Sequence, residues 1–246
     1  MNAEPADQIR LLEVQALDAR IAQLDHKSRT LPEHTELERL GADLAQLRDL
    51  LVAAQTEESD TAREQTKAEQ DVDQVRQRAV RDQQRLDSGA VGPKDLENLQ
   101  RELASLARRQ SDLEDVVLDV MERREAAQER ATELAGRVES VQAKVAEAEA
   151  RKTAALEGID AEGFTAAKER EVLAASVPDD LIKLYDKLRA QQGGVGAARL
   201  YQKRCEGCRL ELNITELNEV RAAPRDQVVR CENCRRILVR TADSGL

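Results

Sequence analysis

Four cysteines, the chain's full complement, stand in two pairs: Cys205-Glu206-Gly207-Cys208 and Cys231-Glu232-Asn233-Cys234. Two residues between cysteines make a tight knuckle that presents both sulfurs to one side, and two such knuckles supply the four thiolates of a tetrahedral site. The gap between the pairs is slightly longer than usual, but Asn213-Ile214-Thr215-Glu216 reads as a capped helix start that absorbs the excess. One Zn2+ held by Cys205, Cys208, Cys231 and Cys234 is the first reading. A rubredoxin-like iron site and a redox dithiol are the competing ones. Zinc in such a cage is structural, because four thiolates close the coordination shell and leave no position for water. Disulfides are disfavoured in the reducing cytoplasm expected for this chain.

Little else in the sequence could do chemistry. His26 and His34 lie near Pro32, far from the cysteines, and join no Ser/His/Asp or Cys/His set. Gly193-Gly194-Val195-Gly196 does not follow a strand and open a helix, so it is not a phosphate-binding loop. No enzyme and no small-molecule substrate is therefore expected. Around the cysteines stand Lys203, Arg204, Arg209, Arg230, Arg235, Arg236 and Arg240, a clustering that suits phosphate or partner contact. Tyr201 is the single aromatic nearby, which limits base stacking. The competing reading is that these cations offset the thiolate centre and an acidic helical region.

The elements that must carry this head are helical. Charged residues make up 35% of the chain and aromatics 1%, so Leu, Val and Ala supply the buried surface, as in long helices rather than a compact globule. Formal net charge is −10, yet basic residues outnumber acidic ones between Arg199 and Arg240, leaving the negative excess to the helices. From Leu37 through Leu40, Leu44, Leu47 and Leu51, apolar positions alternate steps of three and four, and the register extends to Leu86. A second register runs from Leu96 through Leu99, Leu103 and Leu106 to Ala148. Phase held this long indicates coiled coil. Between the two lies Ser88-Gly89-Ala90-Val91-Gly92-Pro93, a helix stop and restart short enough to demand antiparallel arms.

If Leu86 faces Leu96, counting layers outward sets Leu51 against Ala131 and Glu58 against Arg124. A cross-helix ion pair there would fix register more than add stability. The alternative is a loosened coil in which both side chains reach solvent. The fold class is thus mostly α: an antiparallel hairpin over 1–176 with its turn near 88–93 and a bend near Pro32, a junction helix and linker over 177–196, and a small β-containing zinc ribbon over 197–246. Each arm, if unbroken, would reach about 120 Å. Ser176-Val177-Pro178-Asp179 reads as the junction helix's capped start. No apolar run approaches the ~20 residues of a membrane span, and the N-terminus has no signal-peptide core, so a cytoplasmic protein with no membrane partner is expected.

Pro93-Lys94-Asp95-Leu96-Glu97-Asn98-Leu99-Gln100-Arg101-Glu102-Leu103, the junction Val177-Pro178-Asp179-Asp180-Leu181, the two cysteine pairs and Arg235-Arg236-Ile237-Leu238 together make the chain resemble a bacterial family. Its members are coiled-coil proteins with a C-terminal four-cysteine (C4-type) zinc ribbon, among them flagellar regulators and RNA- or sigma-factor-binding proteins. The resemblance covers nearly the whole chain. It implies zinc at Cys205, Cys208, Cys231 and Cys234, and a macromolecular partner: a transcription- or regulation-related protein, with nucleic acid as the alternative. Family members often have glycine directly after the last cysteine; here Arg235 stands there, which implies a tighter knuckle or a more basic surface with ligation intact.

Overall fold

The computed structural model describes residues 1–89 and 92–246. Of the turn expected at 88–93, Ala90 and Val91 lie outside the described residues. The elements in order are α1 (Pro5–Arg29), α2 (Pro32–Asp87), α3 (Pro93–Ala175), α4 (Asp179–Gln191), β1 (Ala197–Tyr201), β2 (Arg204–Cys205), α5 (Ile214–Ala222), β3 (Val229–Arg230), β4 (Ile237–Arg240) and a 3-10 turn at Ala242–Ser244. The chain divides into two compact units, residues 35–149 and residues 1–34 with 150–246.

In the unit of residues 35–149, α2 and α3 pack as antiparallel arms. Their cross-arm pairs fix the direction: Arg130–Glu57 and Arg123–Glu64, each at 2.7 Å, then Arg76–Glu114 at 2.5 Å and Arg78–Glu102. The buried seam of α2 falls at Leu40, Leu47, Ala54, Thr61, Ala68, Val75 and Asp82, one residue per heptad, with Val72 beside it. Leu47 and Ala54 close a cluster with Ala131, Leu134 and Val138. Small and medium aliphatic residues fill these layers, since residues 35–149 contain no aromatic, and the arms can approach closely.

The expected register needs correction. Leu96 is 41% exposed and Leu99, one turn later, is the first buried residue of α3. The layers therefore start later than a Leu86–Leu96 pairing requires. Arg124 accordingly meets Gln65, its Nη1 donating to Gln65 Oε1 at 3.0 Å. Among the described residues no Glu58–Arg124 ion pair forms. Thr61, whose hydroxyl returns to the Glu57 and Glu58 carbonyls at 2.9 Å each, occupies the neighbouring layer.

The chain breaks at Pro32, so that α1 and α2 are separate helices. Pro32 opens α2 at its first position, where a missing N–H leaves nothing unpaired. Thr30 closes α1 through the His26 and Lys27 carbonyls, and His34 Nε2 lies 2.9 Å from the Ser28 carbonyl. At the junction Ser176 is not the cap of α4. Its hydroxyl turns back to the Leu173 carbonyl at 2.7 Å, and Pro178 precedes α4 with no side-chain cap. Asp179 and Asp180 in the first turn supply the negative charge the helix start favours.

The four strands form one sheet in the order β2-β1-β4-β3, with β1 and β4 parallel and both outer pairs antiparallel. Alternate residues of the central pair enter two cores. Ala197, Ile237 and Val239 join Leu11 and Val14 of α1 and Leu181, Tyr185 and Leu188 of α4. Ala198, Leu200 and Leu238 join Leu212, Leu217 and Val220 with Cys205 and Cys231. Burial on both faces explains the unbroken apolar run Ile237-Leu238-Val239. Close packing of β1 on α4 requires Gly196, where a Cβ would stand 2.6 Å from the Tyr185 carbonyl oxygen.

One buried carboxylate ties α1, α3 and α4. Asp18 is 2% exposed, accepts hydrogen bonds from Tyr185 Oη at 2.7 Å and Arg170 Nε at 3.2 Å, and forms an ion pair with Arg189 Nη2 at 3.2 Å. Burial, then the hydrogen bond to Asp18, pushes the Tyr185 hydroxyl far above its ordinary range, so it stays a donor. Tyr185 itself is fully buried against α1, β1 and β4.

Candidate metal centre

The two cysteine knuckles are built to one plan. In the first, Cys205 N donates to the Leu210 carbonyl at 3.0 Å and Arg209 N to the Cys205 carbonyl at 2.7 Å. In the second, Cys231 N donates to the Arg236 carbonyl at 3.0 Å and Arg235 N to the Cys231 carbonyl at 2.8 Å. The residue after each second cysteine must turn left-handed to close this loop. Arg209 has φ 59° and Arg235 φ 61°, both in the region where glycine is at ease and a side chain costs about 1 kcal/mol. Arginine thus adopts the glycine conformation rather than tightening the knuckle.

The fold brings all four sulfurs together within 4.8 Å of one another. Cys205 Sγ lies 3.8 Å from Cys234 Sγ, and Cys208 Sγ lies 3.9 Å from Cys231 Sγ. Bonds of about 2.3 Å in a tetrahedron require edges of about 3.8 Å, so this donor set fits a zinc–thiolate centre. Cys205, Cys208, Cys231 and Cys234 are the residues that hold one structural Zn2+. Before metal arrives, burial and the neighbouring thiols push Cys205 upward and Cys231 likewise. Burial also acts on Cys234, but the Arg236 backbone N–H and guanidinium outweigh it and lower that thiol.

Arg236 joins the two knuckles to the linker. Its Nε donates to the Val195 carbonyl at 3.0 Å, Nη1 to Gly207 at 3.2 Å and Nη2 to Gln192 at 2.7 Å. The approach is possible because residue 207 is glycine; a Cβ there would stand 2.8 Å from Arg236 Cδ. Arg240 does the same for the end of α5 and the segment that follows it, donating to the carbonyls of Val220, Ala223, Pro224, Arg225 and Gln227 at 2.6–3.2 Å. Arg230 Nε donates to the Arg235 carbonyl at 2.8 Å. The seven basic residues singled out by sequence thus divide. Arg230, Arg236 and Arg240 engage backbone carbonyls, while Lys203, Arg204, Arg209 and Arg235 are exposed, with side chains that make no ion pair among the described residues.

Sequence reasoning missed the carbonyl-binding role of Arg236 and Arg240, and missed Asp18 altogether. Gly207 within the first knuckle was the one available signal, marking a close approach by something. No described helix is long and apolar enough to cross a membrane.

A family model for the CT398-like coiled coil hairpin domain matches residues 14–193, and one for the C4-type zinc ribbon domain matches residues 204–238. An uncharacterized protein of Mycobacterium tuberculosis is 37% identical over 98% of both chains. Another from Mycobacterium leprae is 32% identical over 87% of this chain and 92% of that one. Among solved structures, one from Mycobacterium smegmatis superposes with a TM-score of 0.86 at 37% identity, covering 98% of this chain and 100% of that chain. CT398 from Chlamydia trachomatis shares the fold, with a TM-score of 0.68 at 20% identity over 96% of this chain and 98% of that chain.

Proposed function

The chain belongs to the CT398-like coiled-coil hairpin family, and from that premise we propose that it is a non-enzymatic, cytoplasmic scaffold or chaperone. In this reading it engages a protein partner, transcription- or regulation-related, through its helical hairpin and its zinc ribbon. A closed four-thiolate cage has no position for a substrate or an activated water, so its contribution is to hold the ribbon's surface in shape. The observation that carries the reading is the fate of the ribbon's arginines. Arg236 and Arg240 direct their guanidiniums into backbone carbonyls, which removes them from any phosphate grip and leaves them as architecture.

A second reading, a nucleic-acid-binding regulator, is favoured by Lys203, Arg204, Arg209 and Arg235, which remain exposed beside the knuckles. Capture from the source cell, with and without nuclease, separates the two. A protein partner retained after nuclease treatment supports the scaffold. Retention of RNA or DNA that falls with salt and is lost on replacing Arg209 and Arg235 supports the regulator and overturns the first reading.

A further inference from the structure

Away from the cysteines, the first turns of α1, the end of α5 and the turn at Ala242–Ser244 enclose a cleft of about 570 Å³. Its wall carries Arg221, Arg225 and Arg240, and no aspartate or glutamate side chain lines it, in a chain whose formal net charge is −10. Arg240 is committed to five carbonyls, among them that of Arg225, and so fixes the segment that presents Arg225. Gln8 Nε2 braces the same carbonyl at 3.1 Å from α1. The Arg225 side chain itself is exposed and makes no hydrogen bond or ion pair among the described residues. Among the described residues Arg221 reaches only Asn218 Oδ1, at 3.5 Å. Apolar surface completes the cleft: Ile9, 43% exposed, and buried Val220.

We propose that this cleft receives an acidic peptide segment of a protein partner, with carboxylates on Arg221 and Arg225 and an apolar side chain against Ile9 and Val220. The inference rests on the scaffold reading and names where and by what chemistry a partner is held. A planar guanidinium takes a carboxylate through two parallel hydrogen bonds, and two guanidiniums with no ion-pair partner among the described residues, on a pre-braced wall, are spared the ordering cost of a mobile loop. The volume suits a few residues of peptide. A nucleic-acid backbone would instead need cations repeated along its track, without an apolar floor between them.

The test uses the full-length zinc-loaded protein and a fluorescein-labelled octapeptide of alternating glutamate and leucine, read by anisotropy. Saturable binding is expected, weakened when glutamine replaces glutamate and again when serine replaces leucine. Each of Arg221→Gln and Arg225→Gln should weaken it about ten-fold, with zinc content and thermal midpoint unchanged. Arg225→Glu should transfer preference to a labelled octapeptide in which lysine replaces each glutamate. Equal binding of the glutamine peptide, unchanged binding by the double variant, or better competition by an oligouridylate than by the acidic peptide would each overturn the proposal. If the peptide fails while a nuclease-resistant protein partner is still captured, the cleft assignment falls and the scaffold stands. If that capture is also absent, both fall.

Discussion

Arg236 Nη1 donates to the Gly207 carbonyl at 3.2 Å, so a side chain that follows the second cysteine knuckle closes over the backbone of the first. The same guanidinium binds the linker carbonyls of Gln192 and Val195. Replacing Arg236 with alanine leaves three carbonyls without this partner, and with charged donors the expected loss is about 3 kcal/mol. Thermal unfolding of the zinc-loaded protein measures it. Lysine, with a single cationic centre, should restore only part.

Gly207→Ala should produce a loss of the same kind from the other side, because its Cβ would meet Arg236 Cδ at 2.8 Å and Ala198 Cβ at 2.9 Å. Either the guanidinium withdraws or β1 shifts. The double variant with Arg236→Ala should be less than additive, since the two changes break one contact. A double-mutant cycle in urea reads this directly.

Arg235→Gly should hold or raise stability by up to about 1 kcal/mol, because residue 235 already sits at φ 61° and glycine removes the left-handed cost while adding some unfolded-state entropy. Zinc stoichiometry should be unchanged. A clear loss of stability would show that the exposed side chain has a packing role.

Asp18→Ala should destabilise the unit that holds α1, α4 and the ribbon by about 3 kcal/mol, since it takes the shared carboxylate from Arg189 and Tyr185 and leaves Arg170 with Asp186 alone. Tyr185→Phe removes one hydrogen bond to the same group and should cost about 1 kcal/mol. Denaturant titration followed by circular dichroism provides both values.

Zinc affinity should fall as pH is lowered. Cys205 and Cys231 are held above their ordinary range in the metal-free fold, so at neutral pH both are thiols and metal must expel their protons. Loss of at least two protons makes the apparent affinity about a hundred-fold weaker for each unit of acidification. Chelator competition at stepped pH measures the slope, and a slope near zero would contradict the thiol assignment.

The cysteine spacing revealed the cage because ligand chemistry is local: each knuckle is four residues long and needs no partner to be recognised. Heptads at Leu40, Leu47 and Ala54 likewise announced a coil. Register was not legible, because alternation from Leu86 and Leu96 is satisfied equally well one turn later, and Leu99 rather than Leu96 is the buried position. The roles of Arg236 and Arg240 were hidden for a different reason. Their partners are backbone carbonyls brought near by the fold, and a carbonyl carries no residue identity. Asp18 looked like one more acid on a charged helix until Arg170, Arg189 and Tyr185 converged on it.

The account rests on four thiolates closing round one metal ion. Native mass spectrometry of the purified chain, with thiol alkylation before and after chelation, tests it most directly. One zinc per chain is expected, with all four cysteines resistant to alkylation until the chelator removes it. A metal-free chain, or cysteines joined to one another as disulfides, would contradict it.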